Sequence, residues 1–279
     1  MINRSIVRTL GFATVLVVGG YVSGSYADET TSEITLASTT STQNSGLFDY
    51  LLPLVKKQTG VEVHVVAVGT GAALKLARNG DADVLMVHHK TSEEKFVSDG
   101  YGVKRFDVMY NDFVLVGPDS DPAQVKETAT VVEALNKIKT KQAIFLSRGD
   151  DSGTNKRELE LWEANGSTPK SASGEWYRET GSGMGATLNT VVAMQGYTLS
   201  DRATWISYKN KQNMEILFEG DKRLFNQYGV IVVNPEKFPH IKAKSAEIFV
   251  NWILSSEGQD AIAGYQLSGE QLFIPNAMN

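Results

Sequence analysis

From residue 34 to residue 87 the chain alternates short apolar or β-branched runs with helical stretches, and this alternation restricts the fold more than any other feature. Residues 34–37 (ITLA) read as a strand. In residues 47–55 the apolar positions Leu47, Phe48, Leu51, Leu52, Leu54 and Val55 share one helical face, and Gly60 ends that helix. Residues 61–68 (VEVHVVAV) read as a strand, 72–78 as a short helix closed by Gly80, and 83–87 as a further strand. The pattern βαβαβ predicts an α/β fold, a mainly parallel sheet with helices on both faces. With 42% hydrophobic and 21% charged residues the 279-residue chain has enough apolar surface to fold, and without cysteine it has neither a disulfide scaffold nor a thiolate site. A net charge of -5 provides no basic field for nucleic acid.

The first 27 residues carry a different message. Arg4 and Arg8 precede an apolar run from Leu10 to Val18, and small residues lead to Ser25-Tyr26-Ala27. A run this short, followed by that ending, predicts a signal peptide cut near Ala27 rather than a membrane anchor. Export to the periplasm is expected, with loss of both arginines making the mature protein more acidic.

Two segments resemble each other: YNDFVLVGP at 110–118 and YGVIVVNP at 228–235. Each reads as a buried strand with tyrosine before it and proline after it. Between them lie further expected strands at 143–146, 204–207 and 215–218, and after them a helix on which Ala246, Phe249, Val250 and Ile253 keep helical spacing. This predicts two lobes joined by two crossing strands that serve as a hinge: a first lobe of residues 28–112, a second of 113–227, and a return of 228–279 to the first. A single long α/β domain is the alternative.

Four loops are built alike, from hydroxyl residues and glycines ahead of a helix: STTST at 38–42, GTG at 69–71, SRGDDSGT at 147–154 and GSGMG at 181–185. In an α/β sheet such loops lie at the carboxyl ends of strands, where ligands bind. Helix starts offer unpaired N–H groups and partial positive charge, glycine admits close backbone approach, and serine and threonine add donors. Two loops fall on each side of the first crossing strand, so their donors converge across a cleft on a small anion. Arg148 supplies the one cation, able to donate two parallel bonds, and Asp150 is placed to hold it from behind. A negative net charge does not oppose this, because short charge-assisted bonds in a dry cleft outweigh a field screened beyond about 8–10 Å. An N-cap role for each loop and a surface ion pair for Arg148 are the plainer readings.

Other chemistries fit less well. Residues 149–153 (GDDSG) suggest a serine hydrolase built on Ser152, but that needs a histidine base. His64 alternates with valines inside a strand and reads as a core or cross-strand position. His88 and His89 are adjacent at a strand end, point to opposite faces and read as a structural pair, not a metal site. The third glycine of 181–185 comes one residue too early for a dinucleotide fingerprint. The four tryptophans, Trp162, Trp176, Trp205 and Trp252, read as packing residues.

Taken together, residues 38–47 (STTSTQNSGL), 68–71 (VGTG), 82–89 (ADVLMVHH), 109–118, 147–154 and 181–189 (GSGMGATLN) resemble the periplasmic tungstate-binding proteins of ABC transporters, a TupA-like group with the type II binding-protein fold. The first motif of that group usually begins Thr-Thr-Thr-Ser, and Ser38 stands here for its first threonine. The resemblance implies a two-lobed type II periplasmic binding protein, not an enzyme. Such a protein acts as a monomer without cofactor or resident metal and delivers tungstate to a membrane permease. It points to Thr40, Ser41, Gly69, Thr70, Arg148, Ser152, Gly153, Thr154, Ser182, Gly183, Met184 and Gly185 as oxyanion-binding positions. Molybdate, of nearly the same size and charge, is an alternative ligand. Arg148, Asp150 and residues 152–154 also resemble phosphate-binding proteins, and sulfate belongs to the same class. Protonated phosphate needs an acceptor carboxylate, which the first two loops do not contain.

Overall fold

The computed structural model describes Met1, residues 32–267 and residues 269–277; the expected signal peptide lies outside the described residues. The described residues from 32 onward cluster as one unit. Strand β1 (Ser32–Thr39) runs into a single turn, α1 (Thr40–Asn44), and then α2 (Leu47–Thr59), which continues through Pro53 and ends where Gly60 takes φ 74. Next come β2 (Val61–Val68), α3 (Thr70–Asn79), β3 (Val84–Val87), α4 (Lys90–Ser98) and the long strand β4 (Gly102–Pro118). The middle of the chain forms α5 (Val131–Lys141), β5 (Phe145–Ser147), α6 (Gly153–Ala164), β6 (Tyr177–Glu179), α7 (Met184–Met194), β7 (Thr198–Asp201), α8 (Arg202–Ser207) and β8 (Met214–Phe218). Strand β9 (Phe225–Val233) returns and leads to α9 (Ala243–Leu254), α10 (Ser256–Gly264) and the short strands β10 (Gln266–Leu267), β11 (Glu270–Gln271) and β12 (Ile274–Pro275).

The large sheet has the order β12-β4-β9-β3-β1-β2. Parallel pairing holds β1 to β2 and β3, whereas β9 is antiparallel to both β3 and β4. The sheet is therefore mixed rather than mainly parallel, because both long strands run against the neighbours they join. Side chains alternate between its faces as the two-residue period requires. Ile34, Leu36, Val84, Met86, Val230 and Val232 enter one core with α2 and α9, and Ala37, Leu85, Val87, Ile231 and Val233 enter another with α3.

Strand β4 links this body to the next. Up to Asp112 it pairs with β9, and from Phe113 to Pro118 it pairs with β7 and β8. Beyond the change of partner its alternation feeds two further cores: Phe113 and Leu115 one with Trp162 and Tyr177, Val114 and Val116 the other with Leu146 and Leu188. All four tryptophans are buried.

Three local expectations need correction. Residues 204–207 are helical, because the Asp201 side chain accepts from Thr204 N–H at 2.8 Å and caps α8. The strand expected at 143–146 starts at Phe145. His64 is not a core residue: its side chain is 56% exposed and reaches Glu33 at 3.4 Å, since β2 is an edge strand.

Candidate functional site: an oxyanion cleft

Sheet register places the loops. In β1 and β2 Thr39 lies opposite Val68, and in β1 and β3 Ser38 lies opposite Met86. The segments that follow these strands, starting at Thr40, Gly69 and His88, therefore leave one edge together. In the second body β5 and β6 are parallel with Ser147 opposite Glu179, which sets the Arg148 and Gly181 loops side by side.

The loops meet. Gly71 N–H donates to the Asp151 carbonyl at 3.3 Å, and Ser182 N–H donates to the Arg148 carbonyl at 3.3 Å. A Cβ at Gly153 would stand 2.7 Å from His88 Cε1 and 3.0 Å from Thr70 Oγ1. Only glycine fits that close approach. Asp151 takes φ 58, a left-handed conformation that Asp adopts more readily than most residues with a side chain, and its N–H donates to Asn155 Oδ1 at 3.2 Å.

Three helices begin here. The caps of α3 and α7 are Gly69 and Gly183, neither of which has a side chain to cover the first N–H groups. Helix α6 is capped by Ser152, whose Oγ accepts from Asn155 N–H at 3.2 Å. Arg148 is 3% exposed, and its Nη2 donates to Asp150 Oδ2 at 2.6 Å. Thr70 Oγ1, Thr154 Oγ1 and Arg148 Nε are all buried, and none has a hydrogen-bond partner. Buried polar atoms are nearly always paired. Three unpartnered donors in loops that touch one another mark a place for an acceptor.

Beneath the Arg148 loop lies a buried anchor. Glu158 accepts from Ser147 Oγ at 2.5 Å, Tyr177 Oη at 2.8 Å and Trp162 Nε1 at 3.0 Å. Burial pushes its carboxyl up to about 7, against the pull of those bonds. Asp201 is also fully buried, with Oδ2 unpartnered; burial raises its carboxyl above the ordinary range, and the Arg148 charge acts in the opposite direction.

Of the expected site residues, the structure brings Ser41, Gly69, Thr70, Arg148, Ser152, Gly153 and Thr154 into this cluster. Thr40 is half-buried beside them. Ser182 Oγ donates within its own loop, to the Thr180 carbonyl at 3.0 Å. The Met184 side chain is 1% exposed and packs with Leu188 and Trp205, so only its main chain is left for a ligand. Gly183 and Gly185 face open space.

Sequence reasoning missed His88. It is buried, stacks on Tyr228 at 4.9 Å, and bonds Ser41 Oγ at 3.2 Å and Asn226 Oδ1 at 2.9 Å. Its signal was its place immediately after β3, the same position that marked the other loops. His89 caps α4 instead and reaches Glu160 of α6 at 3.0 Å. Among the described residues no group of three His, Asp or Glu side chains could hold a metal ion. Nor is any helix among them long and apolar enough to cross a membrane.

The PBP superfamily domain profile matches residues 24–257. The tungstate-binding protein TupA of Peptoclostridium acidaminophilum is 51% identical over 248 residues, covering 88% of this chain and 86% of that protein. The solved tungstate-binding protein TupA from Desulfovibrio alaskensis G20 shares 46% identity with a TM-score of 0.77, covering 88% of this chain and all of that one. A structure of the tungstate ABC transporter from Geobacter sulfurreducens shares 47% identity with a TM-score of 0.76, covering 84% and 98%. The chain belongs to the TupA family of binding proteins within the PBP superfamily.

Proposed function

We propose that this protein is the solute-binding component of an ABC importer, capturing tungstate in the cleft and delivering it to a membrane permease. The observation that carries this reading is the trio of buried, unpartnered donors Thr70 Oγ1, Thr154 Oγ1 and Arg148 Nε. A fully deprotonated tetrahedral dianion offers acceptors in every direction and satisfies all three, while the uncapped starts of α3 and α7 add N–H donors. The TupA relatives support tungstate as that dianion.

The lobes are residues 28–112 with 228–279, and residues 113–227. They close by bending where β4 and β9 cross, and the anion stabilises the closed form through contacts from both sides. The protein acts as a monomer in the periplasm after loss of residues 1–27, and binds rather than transforms its ligand. Ser152 is engaged as a helix cap, and the nearby histidine, His88, is bonded to Ser41 and Asn226, which leaves no base positioned for hydrolysis.

Calorimetric titration of the dialysed protein with tungstate, molybdate, sulfate and phosphate tests the proposal. One tight site per chain for tungstate, with molybdate competing and sulfate and phosphate far weaker, supports it. Phosphate or sulfate binding as tightly as tungstate refutes it.

A further inference from the structure

Ser41 stands in the cleft, yet its hydroxyl hydrogen is already engaged. Asn226 Nδ2 donates to Asn111 Oδ1 at 2.7 Å, which turns Asn226 Oδ1 toward the imidazole of His88. The imidazole proton therefore sits on Nδ1, and Nε2 is a bare acceptor for the Ser41 hydroxyl at 3.2 Å; among the described residues Thr39 Oγ1, 3.0 Å from Ser41 Oγ, is the one other hydroxyl in hydrogen-bond contact with it. A bare dianion accepts hydrogen bonds and donates none. In this arrangement Ser41 has no hydrogen to offer it.

We propose that His88 is a positioning residue that takes up a proton on Nε2 when the dianion binds. The new Nε2–H donates to Ser41 Oγ, and the Ser41 hydrogen turns to the anion. One proton leaves the buffer for each anion bound, and no other bond is made or broken. The inference rests on the oxyanion reading of the cleft.

The surroundings favour this exchange. The ring is buried against Tyr228 and faces Thr70 and Gly153. Arg148, Arg157 and His89 lie near enough to oppose its protonation, and Lys90 and Asp107 line a cavity of about 320 Å³ that reaches it. Burial, more than these charges, lowers the empty-site imidazole to about 4. A dianion beside Ser41 supplies the charge that the cations lack, and raises His88. Proton uptake then falls between the empty and loaded values, and affinity weakens as pH rises through the loaded one.

The experiment is tungstate titration at pH 5.5 in acetate, MES and piperazine, whose ionisation enthalpies differ. The observed enthalpy should scale with the buffer's, with a slope approaching one proton taken up per anion, and the slope should shrink at higher pH. In His88→Gln the slope should vanish and the affinity should become independent of pH. Tight binding by the natural protein with zero slope overturns the role of His88 and leaves the cleft assignment standing. Uptake that persists in His88→Gln places the proton elsewhere, for instance on the buried carboxyl of Asp201, and also overturns it. Absence of tungstate binding overturns the oxyanion reading itself. Should His88→Gln not fold, the slope of the natural protein decides.

Discussion

Arg148 and Asp150, two residues apart in one loop, are locked together with Nη2 2.6 Å from Oδ2, so the guanidinium is aimed before any anion arrives. Its Nε remains buried and free of partners. Arg148→Lys keeps the charge but loses the planar fork, and should weaken tungstate binding by about 1.5–3 kcal/mol, roughly ten- to a hundredfold. Arg148→Ala removes both charge and fork and should abolish tight binding. Calorimetry on the two variants checks the order; unchanged affinity in the alanine variant would remove Arg148 from the site.

Thr70 and Thr154 each bury a hydroxyl that nothing in the protein satisfies. Valine at either position keeps the shape and removes the unpaired group. The empty protein should then melt at the same or a higher temperature, while tungstate affinity falls by about 1.5–3 kcal/mol. A lower melting point with full affinity would make these hydroxyls structural.

Gly153→Ala should impair closure, because the added methyl meets His88 Cε1 at 2.7 Å and Thr70 Oγ1 at 3.0 Å. Small-angle scattering with saturating tungstate should show a more open average shape than the natural protein gives. An identical closed form would mean that the contact relaxes freely.

Glu158 predicts a pH dependence of stability. Its folded-state value of about 7 lies above the ordinary 4.5, so the stabilising effect of the protonated form is complete below pH 4.5 and is lost as pH rises through 7. The loss is on the order of 3 kcal/mol. Glu158→Gln, neutral at every pH, should flatten the fall in melting temperature between pH 5 and pH 8. An unchanged slope would assign the dependence to other groups.

His89, the cap of α4, and Glu160 of α6 bond at 3.0 Å, and on the proposed two-lobed reading this pair spans the cleft. A partly exposed pair of this kind contributes about 0–1 kcal/mol. Glu160→Ala should therefore speed tungstate release by up to fivefold and leave association unchanged, as stopped-flow tryptophan fluorescence can measure. Slower release would contradict a latch.

Much of this architecture was legible because strand alternation and loop chemistry are local. The change of partner along β4 falls at Asp112–Phe113, inside the YNDFVLVGP segment, and backbone hydrogen bonds join the 147–154 loop to Gly71 and to Ser182. What stayed hidden depends on neighbours far along the chain. Residues 204–207 look like a strand until Asp201 caps them into a helix. His64 looks buried until β2 is seen at the sheet edge. His88 acquires its role from Ser41 and Asn226, 47 and 138 residues away. The antiparallel entry of β9 into the sheet follows from a chain return that no single segment encodes.

Crystals of the tungstate-loaded protein, measured on both sides of the tungsten absorption edge, test the central claim most directly. One anomalous peak per chain is expected, with its oxygens within hydrogen-bond reach of Thr70 Oγ1, Thr154 Oγ1 and the Arg148 guanidinium. A sole peak elsewhere on the protein, or a carboxylate oxygen in contact with the bound anion, would contradict it.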